Sequence, residues 1–345
     1  MMEVTQDRSP LAKSPLFLVA PFFFLGTAMV VMKFVLPNTT PLFLAGFRLV
    51  PAGLLILILG AIAKLPQPRG WQAWMWITLF GIVDGALFQG FLTEGLVHTG
   101  AGLGSVLIDT QPLVVAILSR FILGDAIGFW GWLGLVIGLA GVALCGLPEK
   151  LIYGWFQGHS AIAMPAFDWG GLLQSGELLM IIAALAMSFG TIIVRYVKQV
   201  ADPIVGTAWH MIIGGIPLLV LSALYETHQV SQLHGSDWVG LGYATVFGTA
   251  VTYGMFFYLA ATGNVTSVSA LIFLTPVFAL LFSFLTLGET LTNLQWIGVV
   301  LTLVSVFFVN QRKEIAEWMS KMTSKLSAKA SATEVTTTDS NPVKE

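Results

Sequence analysis

Charge is what this sequence has least of. Its 345 residues carry 16 Lys and Arg against 18 Asp and Glu, so 10% are charged where 56% are apolar. A soluble domain is nearer 25% charged, and a water-soluble fold is therefore excluded. The net charge of -2 gives no basic field for nucleic acid. Cysteine is almost missing too: Cys145 stands alone in an apolar run, which excludes an intrachain disulfide and a cysteine-based metal cluster. No HExxH, GxSxG or CxxC is present, so nothing builds a hydrolase or metal centre. Gly100, Gly102 and Gly104 superficially resemble a nucleotide loop, but no strand precedes them and the third interval is one residue short. The reading is a non-enzyme without a cofactor or a nucleotide-binding fold.

What is there is apolar length. Fifteen of the 34 charged residues lie in residues 1–15 and 312–345, leaving 19 for the 296 residues between. The middle is a membrane domain with wet ends. A spanning helix needs about 20 apolar residues. Cutting the chain at Pro, Gly, Asn and charge predicts ten spans: 16–36, 42–63, 73–95, 102–123, 128–147, 177–197, 203–224, 238–260, 266–287 and 293–310. The first run follows Arg8 and Lys13 but is 21 residues long, and reads as a retained anchor. With the N-terminus in the cytoplasm, the inner side receives Arg8, Lys13, Lys64, Arg69, Arg120, Arg195, Lys198 and the six basic residues of the C-terminal tail. The outer loops receive only Lys150. That asymmetry follows the positive-inside rule and puts both termini inside, in a multi-pass protein of the cell (inner) membrane.

The chain repeats itself. A shift of 164 lays residues 74–138 on 238–302 without a gap: Trp74 on Trp238, Gly90 on Gly254, Pro112 on Pro276, Gly124 on Gly288, Asp125 on Glu289, Gly134 on Gly298. A shift of 162 pairs Lys33 with Arg195, Pro41 with Pro203 and Arg48 with His210. The expected fold is therefore an all-α membrane protein of ten transmembrane helices, built from two five-helix repeats. Because five is odd, the second copy enters the bilayer inverted, the design of secondary transporters. The expected organisation is a cytoplasmic tail (1–15), repeat 1 (16–147), an outer connecting loop (148–175) with interfacial aromatics, repeat 2 (176–311) and a cytoplasmic tail (312–345). That tail begins as an amphipathic surface helix and is disordered from about Ser331.

The stretch PLVVAILSRFILGDAIGFWGWLG (Pro112–Gly134) and its copy PVFALLFSFLTLGETLTNLQWIG (Pro276–Gly298) resemble the EamA module of the drug/metabolite transporter superfamily. Arg48, in PLFLAGFRLV, falls where that family usually carries an arginine in its second helix; His210 replaces it in the second copy, and Asp125 replaces the usual Glu in the first. The resemblance implies ten helices and transport of small polar metabolites, without naming a substrate.

The candidate site follows from the residues that are costly in a bilayer. Each charge at its centre costs at least about 2.5–3.5 kcal/mol, so Asp84 and Asp109 read either as hydrogen-bonded helix glue or as carboxyls for a coupling proton or a substrate amine. Asp109 is the favoured proton carrier and Asp84 its support. Gln89, Thr110 and Gln111 add polar contacts. Pro112 and Pro276 free the carbonyls of Ile108 and Ile272 and mark bends facing a path. Arg48 and Lys33, with Arg195 and His210, either snorkel to headgroups or form a polar ring at each mouth. Glu289 and Asp125 read as N-terminal acids of the helix that follows each. The partners implied are a small-molecule metabolite, such as an amino acid, and the lipid bilayer; oligomeric state stays open. The competing classes are a polytopic scaffold without transport and a passive channel, the latter disfavoured for want of a selectivity filter.

The topology is testable with single cysteines in a Cys145→Ser background. Arg69→Cys and Lys198→Cys should label only from the cytoplasm, Gly158→Cys and Ser231→Cys only from outside. Labelling of residues 69 and 198 from opposite sides would refute ten spans.

Overall fold

The computed structural model describes residues 15–124, 127–146, 174–255, 271, 274–311 and most of 314–324. Among them every element is helical: α1 (Pro15–Val35), α2 (Pro41–Ile62), α3 (Gly70–His98), α4 (Ala101–Ile108), α5 (Gln111–Leu123), α6 (Phe129–Gly146), α7 (Gly176–Val200), α8 (Pro203–Tyr225), α9 (Gly235–Thr245, continued by Val246–Val251), α10 (Leu274–Leu287) and α11 (Asn293–Asn310). Seven helical segments among the described residues are long and apolar enough to cross a membrane, and Phe129–Cys145 and Leu274–Leu287 are shorter apolar helices. The chain is a multi-pass integral membrane protein. The segment 148–173, Asp125 and the end of the chain from 325 lie outside the described residues, as do the expectations placed on them.

Turn chemistry sets the boundaries. Pro41 and Pro203 open α2 and α8, where a missing N–H costs nothing. Asp202 caps α8 through Ile204 N and Val205 N, and Thr292 with Gln295 forms a capping box on α11. Gly124 and Gly288, at equivalent places after α5 and α10, have φ of +74° and +66°, a left-handed stop that favours glycine.

Two details differ from the sequence reading. Pro112 does not kink a continuous span: the helix stops at Ile108 and restarts at Gln111, with Pro112 in the first turn of α5. Thr110 Oγ1 donates to Leu107 O at 2.6 Å, so the break is satisfied locally. Glu289 does not cap its own following helix either. Its carboxylate accepts from Ala101 N (2.9 Å) and Gly102 N (3.2 Å), the start of α4, leaving α11 to Thr292. A free helix N-terminus attracts a carboxylate wherever the fold brings one, and here it comes from the other half of the chain.

Contacts between the chain halves dominate. The largest interfaces are α6 on α11, α7 on α3 and α2 on α8, followed by α3 on α8, α1 on α9 and α1 on α10. Small residues let the backbones meet: Gly134 and Gly138 of α6 lie against Ser305, which donates to Gly134 O at 2.6 Å, and Gly81 and Gly85 of α3 lie against His210 and Gly214 of α8. At the end carrying Pro41 and Ala101, polar bonds cross repeatedly. Glu226 accepts from Thr40 Oγ1, Leu42 N and Phe43 N at 2.7–3.1 Å and Asn38 donates to Asp237, while within the first half Lys33 Nζ donates to Leu96 O and Val97 O. Lys33 thus closes the end of α3.

A Cβ at Gly214 would press on Gly81 O and Gly85 Cα, whereas one at Gly242 meets nothing within 4 Å. Gly214→Val should cost about 1–3 kcal/mol and lower the melting temperature in detergent, while Gly242→Ala should leave it unchanged.

Candidate functional site

Among the described residues the helices surround a cavity of about 330 Å³ between the two chain halves, a volume suited to a small metabolite. It reaches from Met32 and Ser105, near the Pro41 end, to Lys198, which is exposed at the opposite end of α7. The cavity therefore meets solvent at the Lys198 end, whereas the crossing bonds of Glu226 and Glu289, with the Lys33 bonds inside the first half, close the other.

Most of the walls are apolar, including Leu25, Met29, Met32, Phe88, Leu92 and Met187. Against that background the polar groups stand out. Arg48 of α2 is only 5% exposed, which removes the snorkelling reading, and its guanidinium donates to Gln89 Oε1 of α3. Its Nε has no partner. Asp109, at the break between α4 and α5, has a buried Oδ2 that is likewise unpartnered. A cation and a carboxyl with open hydrogen-bonding positions thus line the same cavity. Such groups are expensive to bury unanswered, and a ligand of matching polarity would answer both.

Asp84 sits in the α3 wall and meets His210 of α8, with Oδ2 and Nε2 at 3.2 Å. The His210 ring stacks on Phe80 with centroids 4.0 Å apart, and its Nδ1 faces Thr207 O. Gly190 of α7 packs on the Asp84 carboxyl. The helix around Asp84 is wound as a π-helix over Gly81–Phe88, and α9 has the matching irregularity over Val246–Val251. π turns loosen the backbone ladder locally and are frequent at functional sites.

The remaining expected residues divide. Gln111 lines the cavity and donates to Thr191 of α7. Thr110, Pro112 and Pro276 are not in its lining; Thr275 beside Pro276 is. Arg195 is exposed and Lys33 is spent on carbonyls, so the polar ring at each mouth is not formed by Arg48, Lys33, Arg195 and His210; His210 is also outside the lining. Sequence reasoning missed Tyr253, Thr249, Thr252, Thr191 and Lys198. Tyr253 shares the cavity wall with Asp84 and Arg48. The spacing of Thr249, Thr252 and Tyr253 on one helix was the available signal.

The model of the EamA-like transporter family matches the chain twice, over residues 12–147 and 174–311. The chain belongs to the EamA-like transporter family. Among its relatives, an uncharacterized transporter of Synechocystis sp. is 50% identical over 316 residues, covering 91% of this chain and 94% of that protein. A WAT1-related chloroplastic protein of Arabidopsis thaliana is 46% identical over 297 residues, covering 85% and 68%. An uncharacterized inner membrane transporter of Escherichia coli is 24% identical over 306 residues, covering 87% and 92%. One crystal structure shares the fold with a TM-score of 0.53 at 16% identity, over 86% of this chain and 96% of that one. Proteins named as transporters are thus similar to this EamA-family chain over nearly all of it.

Gly190→Ala would drive a methyl into the Asp84 carboxyl. In whatever transport assay the wild type satisfies, this variant should lose at least tenfold in rate, while fluorescence-detected gel filtration still shows a monodisperse protein. Wild-type rates would show that the Asp84 position is not constrained.

Proposed function

We propose that this chain is a secondary transporter that moves a small zwitterionic metabolite, such as an amino acid, by rocking two inverted five-helix repeats about the central cavity. The repeat reading counts α4 with α5 as one broken span, giving ten. It is supported by the gap-free internal match, by the family model fitting twice, and by interfaces that exchange with one another when the halves are swapped, such as α1 on α10 for α7 on α4 and α5. The distribution of Lys and Arg supports both termini in the cytoplasm and the Lys198 end of the cavity facing inward, with the Pro41 end closed to the outside.

The observation that carries the substrate class is the pair of unanswered groups, Arg48 Nε and Asp109 Oδ2, in one largely apolar cavity. A guanidinium with free N–H groups selects a carboxylate, and a carboxyl with a free oxygen selects an ammonium. Met29, Met32, Phe88 and Met187 provide the apolar wall for the rest of the molecule. Gln111 and Thr191 tie α5 to α7 beside it, so a ligand at Asp109 would sense the relation between the halves.

Metabolite profiling of cells and medium, with and without the protein, names the substrate and the direction together. Arg48→Lys keeps the charge but loses the planar fork. A charge-assisted hydrogen bond is worth about 1.5–3 kcal/mol, so transport should fall tenfold or more with normal amounts of folded protein. Unchanged transport by Arg48→Ala would contradict the proposal.

A further inference from the structure

Resting on the transport reading above, we propose that Asp84 and His210 form a proton-binding site in which one proton, shared between Asp84 Oδ2 and His210 Nε2, holds α3 against α8. The sequence favours Asp109 as the carrier. The geometry points to Asp84, because it alone of the two faces a base across the interface between the halves.

The proton count follows from the partners. His210 Nδ1 faces the Thr207 carbonyl, which only accepts, so Nδ1 carries a hydrogen. Nε2 faces a carboxyl oxygen at 3.2 Å. One further proton must stand between them, on the imidazolium opposite a carboxylate or on a carboxylic acid donating to a neutral ring. In both forms the pair is neutral. When that proton leaves to water, a carboxylate and a ring lone pair face each other, two acceptors with one negative charge and no donor between them.

The site cannot absorb this by local adjustment. Gly190 backs the Asp84 carboxyl, Phe80 covers the His210 ring, and the backbones of Gly85 and Gly214 touch. Relief therefore comes from parting α3 and α8, and the π-wound Gly81–Phe88 is where α3 can rewind. The other titratable groups lining this cavity are Arg48 from α2, Tyr253 from α9, Asp109 from the α4–α5 break and Lys198 from α7. Arg48 is engaged by Gln89, and Tyr253 lines the cavity without a hydrogen bond to either member of the pair. Asp109 Oδ2 meets no protein partner, so its protonation breaks no contact between helices, and it is left to the substrate. One cycle takes up one proton on one side, closing the pair, and gives it to water on the other.

The test needs no substrate. Reconstituted protein with Cys145→Ser, Val97→Cys and Leu224→Cys carries nitroxides on α3 and α8. Their separation is measured against pH, with infrared difference spectra following carboxyl and imidazole bands. The otherwise unmodified protein should lose one proton from this pair as pH rises, with a matching change in the Val97–Leu224 distance. Asp84→Asn, whose amide can donate to Nε2, should stay at the low-pH distance and lose both signals. His210→Gln should also lose the pH response, and Asp109→Asn should keep it. If Asp84→Asn does not fold, Phe80→Leu serves instead: it retains acid and base and should shift the midpoint without abolishing the response. A response unchanged in both Asp84→Asn and His210→Gln, lost in Asp109→Asn, or absent from the unmodified pair would overturn the proposal. Because these readouts involve only protons and helices, a wrong substrate class would leave them intact, and an intact transporter without them would refute the proton site alone.

Discussion

Polar groups persist at membrane depth only where the same protein, or something it binds, answers them. In this chain that constraint organises the bundle. Arg48 leans on Gln89, Asp84 on His210 and Gln111 on Thr191, and each partnership links different helices. The last two also link different halves of the chain. The apolar helices provide the span, but these few pairs determine how the helices are turned about their axes, because every one must point inward. At Arg48 Nε and Asp109 Oδ2, two of the buried polar atoms without a protein partner, the residue lines the cavity.

The two ends of the bundle are held differently. At the Pro41 end, carboxylates from α8 and from the turn after α10 cap helices of the opposite half, Glu226 on α2 and Glu289 on α4. These bonds use groups that helix termini leave unsatisfied in any case, and each carboxylate supplies the acceptor that the opposite half's helix lacks. At the other end, Trp209 on Gln67 is a bond between halves among the described residues, and Lys198 is exposed there.

The all-helical, multi-pass character was legible because span length is written in composition. Most described helices fall within a few residues of the runs cut by Pro, Gly and charge, and α8 begins at Pro203 as expected, whereas the run 102–123 is broken after Ile108. Arg48, Gln89, Asp84, Asp109 and Gln111 were identifiable because charge and amide are rare in apolar runs, and all five line the cavity. Partnership was not legible. Nothing in spacing says that His210 meets Asp84 across the halves, or that Glu289 reaches the start of α4, since both are set by tertiary packing through Gly85, Gly214 and Gly102. The π windings were hidden for a similar reason: Gly81–Phe88 has an ordinary helical composition, and its geometry reflects what it packs against.

The central claim is that the cavity is a path reached alternately from the two sides. Its most direct test uses Ser105, a buried residue of the wall near the clasped end. Ser105→Cys, in a protein with Cys145→Ser, is exposed to a small membrane-impermeant thiol reagent from each side of oriented proteoliposomes. The account predicts modification from the cytoplasmic side, and modification from outside once Glu289→Gln has weakened the clasp on α4. A cysteine that reacts from neither side, with or without Glu289→Gln, would contradict it.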